Sequence, residues 1–287
     1  MCAYNTRHML LRLLKISRPR FWLYVIGSFF IGIGGVMTVG EAIVLNPDVL
    51  LWILYFTLPA NLFIYGINDI ADFDTDQFNE KKGTYEVKVT KRDVRIILLA
   101  IAALHAFFIP LFLRSTQVVL GLFIVFILFN IFYSLPPLRL KRIPFVDSVS
   151  NGIICVAMGL MGYYLAGGNA FPWWGVAAGF LWSAVMHAYS AIPDIDSDKR
   201  AGIRTIATEL GAKRTLLFSF LSYLLIGIFL YLGGHHNHVL LIVPYLILIL
   251  LSVRELGHKS SVFGTYRLYP YVTYIIGMSV YGLSVYF

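Results

Sequence analysis

Charge is scarce in this sequence. Asp, Glu, Lys and Arg make up 13% of its 287 residues, about half the share usual in a soluble domain. Apolar residues reach 59%, above the usual ~45–50%. That balance excludes an ordinary soluble globular domain and points to a chain dissolved in lipid. Cysteine is nearly absent: Cys2 and Cys155 are the only two. They form no CxxC pattern, which excludes a disulfide framework. The formal net charge of +8 raises the question of nucleic acid. No basic stretch is interleaved with base-stacking aromatics, so no nucleic-acid partner is expected. The basic residues lie in short loops between apolar runs, where membrane topology explains them.

Long apolar runs are what the chain does have. A spanning helix needs about 20 mainly apolar residues. Nine runs qualify, near 21–40, 49–68, 94–113, 116–135, 146–168, 172–192, 214–233, 238–256 and 267–287. The expected fold is therefore all-α, a polytopic bundle of nine transmembrane helices in a single domain over 1–287. The first run follows basic residues as a signal peptide would, but it lacks a clear cleavage site and reads as a retained helix. Basic residues favour the cytoplasmic side. With a cytoplasmic N-terminus, Arg18, Lys91, Arg92, Arg139, Lys141, Arg142, Lys199 and Arg200 all fall inside, and Arg114 falls outside. The expectation is N-in in the cytoplasmic membrane, with the functional face toward the cytoplasm.

Acidic residues are concentrated. Two segments, Asn68-Asp69-Ile70-Ala71-Asp72-Phe73-Asp74-Thr75-Asp76 and Asp194-Ile195-Asp196-Ser197-Asp198, hold seven of the 15. Charges at the end of a lipid-embedded helix are costly unless they face a wet cavity or a partner. Residues four apart share a helix face, which groups Asn68, Asp72 and Asp76, and separately Asp194 and Asp198. Ser190 and His187 extend the second face into the membrane. Asp74 and Asp196 point away, and Asp69 is ambiguous. Both sets end spans on the same expected side. Hard oxygen ligands of this kind suit magnesium, which uses one or two carboxylates together with substrate phosphates. Zinc would want histidine or cysteine. The constellation suits metal ions clamping a diphosphate. The alternative is a solvated loop balancing nearby lysines. The two motifs lie about 120 residues apart, which hints at tandem four-helix halves, near 1–140 and 141–260, plus a ninth helix.

At these residues the chain resembles the UbiA superfamily of intramembrane prenyltransferases. NDIADFDTD is similar to that family's NDxxDxxxD signature, and DIDSD followed by KRAG to its DxxxD signature. Ser17-Arg18-Pro19 resembles the family's N-terminal segment. Tyr133-Ser134-Leu135-Pro136-Pro137-Leu138-Arg139-Leu140-Lys141-Arg142 resembles the loop after its fourth helix. The resemblance implies a nine-helix bundle, magnesium dependence and an opening toward lipid. Members that prenylate aromatic acceptors carry an R-P-L-P-S-G-like stretch after the first motif, and here FNEKKGTYEVKVTKRDV stands instead. Met186-His187-Ala188-Tyr189-Ser190-Ala191-Ile192-Pro193-Asp194 looks like the branch that elongates lycopene.

The implied reaction is prenyl transfer from an allylic isoprenoid diphosphate to a lipophilic acceptor within membrane lipid, with dimethylallyl diphosphate and lycopene as the expected pair. Asp72, Asp76, Asp194 and Asp198 would be catalytic and hold metal, supported by Asn68 and Asp69. Arg18, Lys91, Arg139, Lys141 and Lys199 are the expected diphosphate ligands, since fixed positive charge favours departure of a leaving group. Tyr133, Ser134, Trp182, His187, Tyr189 and Ser190 are the expected cavity residues, since ring faces attract cations. The competing readings are transfer to an aromatic quinone precursor such as 4-hydroxybenzoate, a cation transporter with mid-membrane carboxylates on broken helices, and a non-catalytic scaffold. The cluster of His235, His236 and His238 lies far from the aspartates and reads as an interfacial loop.

Overall fold

The computed structural model describes residues 6–36, 46–73, 87–258 and 262–286, and no strand occurs among them. The helices are α1 (Thr6–Ile16), α2 (Trp22–Gly34), α3 (Pro47–Tyr55), α4 (Leu58–Ala71), α5 (Lys91–Arg114), α6 (Gln117–Ser134) and α7 (Val146–Leu165). They are followed by α8 (Trp173–Ser190), α9 (Ile195–Arg200), α10 (Ile206–Leu232), α11 (His236–Val239), α12 (Val243–His258), α13 (Phe263–Tyr266) and α14 (Tyr269–Tyr286). Among the described residues, seven helical runs are long and apolar enough to cross a bilayer: Pro47–Ala71, Lys91–Arg114, Gln117–Ser134, Val146–Leu165, Trp173–Arg200, Ile206–Leu232 and His236–His258. The protein is an integral membrane protein. α2 and α14 pack against this set and against each other.

Two of the expected runs are interrupted. The run near 49–68 is two helices, α3 and α4, that meet at Phe56-Thr57. Pro59 in the first turn of α4 lacks an N–H and cannot continue α3. The run near 172–192 ends at Ser190. Pro193 then lies in a one-turn 3-10 helix (Ile192–Asp194) before α9 restarts the path. The acidic motifs therefore sit at helix ends rather than along unbroken helices.

The closest helix contact is a glycine seam between α2 and α7. A Cβ built on Gly32 would lie 1.8 Å from the carbonyl oxygen of Gly159, and one on Gly162 would lie 2.1 Å from that of Phe29. Lipid supplies no hydrophobic drive for helix association, so small residues that let backbones touch become the source of attraction. One turn along the seam, Ser28 Oγ lies 3.2 Å from Cys155 Sγ. A Ser28→Cys variant is expected to cross-link with Cys155 under mild oxidation, lowering titratable thiols from three to one. Three labelled thiols after oxidation would contradict the close approach.

At one end α1 lies across the bundle. Arg12 Nε and one Nη donate to the Asp93 carboxylate at 2.7 and 2.6 Å. The same carboxylate completes a capping box with Thr90 at the start of α5. That clamp fixes where the chain turns into α2, and with it the position of Arg18.

Candidate active site

Two arginines hold the same unusual pose. Arg18 (φ 50°) and Arg139 (φ 46°) are both left-handed, and each immediately precedes a one-turn 3-10 helix, Pro19–Phe21 and Leu140–Arg142. For a side chain with a Cβ that conformation costs about 1–2 kcal/mol. Such strain collects where side chains must be aimed. Both turns aim their cations at the C-terminal end of α4.

The end of α4 carries the first acidic motif. Asp72 is the residue that closes the helix. Its carboxylate meets Lys141 Nζ at 2.5 Å, Arg139 at 3.4 Å and Arg142 at 3.8 Å. Asn68 Oδ1 accepts from Lys141 at 2.7 Å and from Ser134 Oγ at 3.4 Å. Arg139 also donates to the Ala71 carbonyl, placing a cation at the negative end of the helix. Asp69, 2% exposed, pairs with Arg18 at 2.8 Å, while the Arg18 guanidinium lies 4.6 Å over the Tyr65 ring. Burial pulls the Lys141 ammonium below its ordinary pKa, and the adjoining Asp72 opposes that shift.

The cations have donors to spare. Nε of Arg139, and Nε and one Nη of Arg142, are buried without a hydrogen-bond partner among the described residues. Buried donors are almost always bonded in a finished structure. A cluster of unused guanidinium N–H groups is therefore a seat for an anion with several acceptor oxygens.

The second motif approaches from α8 and α9. Asp194 and Asp198 are half-buried, whereas Asp196 between them is exposed. The Tyr133 hydroxyl on α6 links this side of the site to α8. The same hydroxyl is 2.9 Å from His187 Nε2 on α8. Ser190 Oγ donates to the His187 carbonyl, within its own helix.

Other expected residues lie elsewhere. Asp76 falls outside the described residues. Lys91, on the first turn of α5, and Lys199, on the last turn of α9, are exposed. Tyr189 faces away from the aspartates: it stacks on Tyr269 at 4.8 Å and its hydroxyl is 2.7 Å from Ser252 Oγ. Trp182 donates to the Tyr245 hydroxyl at 3.0 Å. These two belong to a tyrosine cluster with Tyr223, whose ring stacks on that of Tyr245. His238 is 3.1 Å from Ser284 Oγ of α14, a helix-to-helix bond.

Sequence reasoning missed four contributors: Arg142, Tyr65, Asp147 and Ser148. Arg142 ends the basic run already singled out. Asp147 is a lone carboxylate at the start of an apolar span, itself a signal of function.

No three His, Cys, Asp or Glu side chains converge into a ready-made metal cage among the described residues. That agrees with magnesium's habit of taking one or two carboxylates and completing its shell with phosphate oxygens and water. The donor set here is all oxygen, and the anion seat lies beside it, so the residues fit such an ion arriving with a diphosphate.

Comparison with known proteins identifies the family. The profile of the UbiA prenyltransferase family matches residues 26–260. A lycopene elongase/hydratase of Haloarcula japonica is 36% identical over 269 residues, covering 93% of this chain and 88% of that protein. One of Halobacterium salinarum is 37% identical over 270 residues, covering 93% and 94%. Among solved structures, a UbiA homolog from Archaeoglobus fulgidus bound to DMAPP and Mg2+ superposes with a TM-score of 0.77 at 19% identity, over 95% of this chain and 97% of that one. The chain belongs to the UbiA prenyltransferase family and is a membrane prenyltransferase.

Proposed function

We propose that this prenyltransferase moves a dimethylallyl group from its diphosphate to the end of a lycopene-like polyene, at the cytoplasmic face of the cytoplasmic membrane. The observation that carries the reading is the anion seat at the end of α4. There Arg139, Lys141 and Arg142 surround Asp72, Arg18 is held beside them by Asp69, and buried guanidinium N–H groups remain unused. The related lycopene elongases/hydratases support the acceptor, and the solved UbiA homologs bound to DMAPP or GPP with Mg2+ support an allylic diphosphate with magnesium.

In this reading Asp72, Asp194 and Asp198, with Asn68 sharing Lys141 with Asp72, would hold magnesium, and Asp76 of the first motif is proposed as a further ligand. When bound, the ion neutralises charge on the diphosphate as it leaves. Lys141, Arg139 and Arg142 turn from Asp72 toward the phosphate oxygens. Asp69 keeps Arg18 aimed at the same place. Fixed cations at the leaving oxygen lower the barrier to C–O cleavage without reorganisation. Helix packing around the site keeps water from the allylic cation, and the acceptor's terminal double bond attacks it. All nine helices span, with the N-terminus inside, so the basic loops lie on the active-site side. The halves near 1–140 and 141–260, with a ninth helix, belong to the same reading, although the first apolar cluster runs on through Ile154 and Met161 of α7.

The test is product analysis with purified protein in lipid. Dimethylallyl diphosphate and lycopene with magnesium should give a carotenoid longer by five carbons. Prenylated 4-hydroxybenzoate without any longer carotenoid would overturn the acceptor assignment. Lys141→Gln removes a charged hydrogen bond worth ~1.5–3 kcal/mol. It is expected to raise KM for the donor roughly 10- to 100-fold. An unchanged donor KM would remove Lys141 from the phosphate site.

A further inference from the structure

One buried polar chain lies beside the site and takes no part in holding a diphosphate. The Tyr133 hydroxyl on α6 is 2.9 Å from His187 Nε2 on α8. The other ring nitrogen, Nδ1, is 3.2 Å from Ser148 Oγ and 3.9 Å from the Asp147 carboxylate, both on α7. Asp147 is 0% exposed. Its two oxygens accept from the backbone N–H groups of Ser148 at 2.8 Å and of Ile206 at 3.0 Å. Ile206 opens α10, so the carboxylate is held as an anion at a helix N-terminus. The ring thus lies between a phenol on one side and a hydroxyl with a carboxylate on the other.

The position matches a proton that the reaction must dispose of. Attack by the acceptor's double bond on the allylic cation forms a C–C bond and leaves a tertiary cation on the acceptor. That cation ends by losing a proton from the neighbouring carbon, or by binding water and losing a proton from it. The phosphate cations lie around Asp72, and Ser134, next to Tyr133, bonds Asn68 of the same motif, so Tyr133 stands beside the phosphate seat while its hydroxyl leads inward to His187. On the same helix faces, toward the opposite end of the bundle, Leu122 lies about three turns before Tyr133 and Phe180 about two turns before His187. Both line an apolar groove of about 300 Å³ between α6, α7 and α8. A long apolar acceptor lying there would reach the Tyr133 hydroxyl by running a further ~16 Å along α6.

We infer that Tyr133, His187 and Asp147 form the proton relay that quenches the acceptor cation. This rests on the proposed prenyl transfer to a polyene. The Tyr133 oxygen takes the proton from carbon, or from the captured water, as its own hydrogen passes to His187 Nε2. The new imidazolium faces Asp147, which stays a carboxylate. The proton then returns through Tyr133 to the departing diphosphate. Tyr133 is the catalytic residue in this step. His187 and Asp147 are positioning residues acting through it, and Ser148 orients the ring.

The test compares wild type, Tyr133→Phe, His187→Gln and Asp147→Asn on four readouts: donor KM, kcat, product ratio and solvent deuterium isotope effect. Wild type making no longer carotenoid would sink the acceptor reading itself, separately from the relay. Given a working wild type, Tyr133→Phe and His187→Gln should keep donor KM within a few-fold and lose kcat by roughly 100-fold or more, as for loss of a general base. The ratio of alkene to hydroxylated product among the lengthened carotenoids should shift, because the acceptor cation waits for a base. The solvent isotope effect of wild type should change in both variants. Unchanged product ratio and isotope effect, with only a lower melting temperature, would mean that the contacts merely staple α6 to α8 and would overturn the relay. Asp147→Asn tests the same point with a near-isosteric side chain: a product ratio like that of wild type counts against the relay.

Discussion

Asp72→Ala is expected to lose at least roughly a thousandfold in turnover, equivalent to about 4 kcal/mol of barrier, while donor affinity falls far less. The asymmetry follows from the geometry. Lys141, Arg139 and Arg142 remain when the carboxylate goes, and they no longer share their charge with it. Ground-state attraction for a diphosphate therefore survives. What disappears is the oxygen ligand that would hold the metal against the leaving group, an interaction that matters most as charge develops. Asp194→Ala should behave alike. Asp196→Ala, an exposed neighbour in the same short helix, serves as the control and should keep near-normal turnover. Diphosphate release and prenylated product, measured together, report the outcome. If Asp72→Ala retains more than a tenth of wild-type kcat, the metal assignment is wrong.

Gly162→Leu should leave little folded protein. The new Cβ would stand 2.1 Å from the backbone oxygen of Phe29, and backbone cannot swing aside as a side chain can. α2 would have to leave α7, exposing the buried residues Phe29, Ile33 and Met161. A destabilisation above about 4 kcal/mol belongs to the small class of mutations that unfold a domain. Gly121→Leu on α6 meets no atom within 4 Å and should be tolerated, since leucine favours a helix over glycine by about 0.5–1 kcal/mol. Recovery of monodisperse protein in mild detergent, with its melting temperature, separates the two. Wild-type yield and melting temperature for Gly162→Leu would show that the seam contributes little.

Much of this organisation was legible in the sequence, for identifiable reasons. Apolar runs of span length have few other uses, and most of them appear as helices close to the expected bounds. Asp72, Asp194 and Asp198 stood out because carboxylates are rare in such a chain, and Asn68 by lying one helical turn before Asp72. Arg18, Arg139 and Lys141 were marked by the family segments around them, and they meet at α4. Lys91 and Lys199 were not separable from them, because positive charge on one face also arises from topology alone. The aromatic residues were the least readable. With 22 Phe and 18 Tyr, composition does not distinguish Tyr133, next to Ser134 at the first motif, from Tyr189, which turns into the tyrosine cluster. His187 could be placed on the motif face, but its partners Asp147 and Ser148 come from another helix. The break between α3 and α4 was signalled by Pro59, and hydropathy averaged over the run concealed it.

The glycine seam also limits how the molecule can breathe. With backbone resting on backbone, no layer of side-chain rotamers lies between α2 and α7 to rearrange, so the pair acts as a rigid spine. A long hydrocarbon cannot slip between them. Its traffic belongs to the flanks, where outward-facing side chains such as Leu99, Phe107, Ile124 and Leu250 meet lipid tails and can yield as a guest passes.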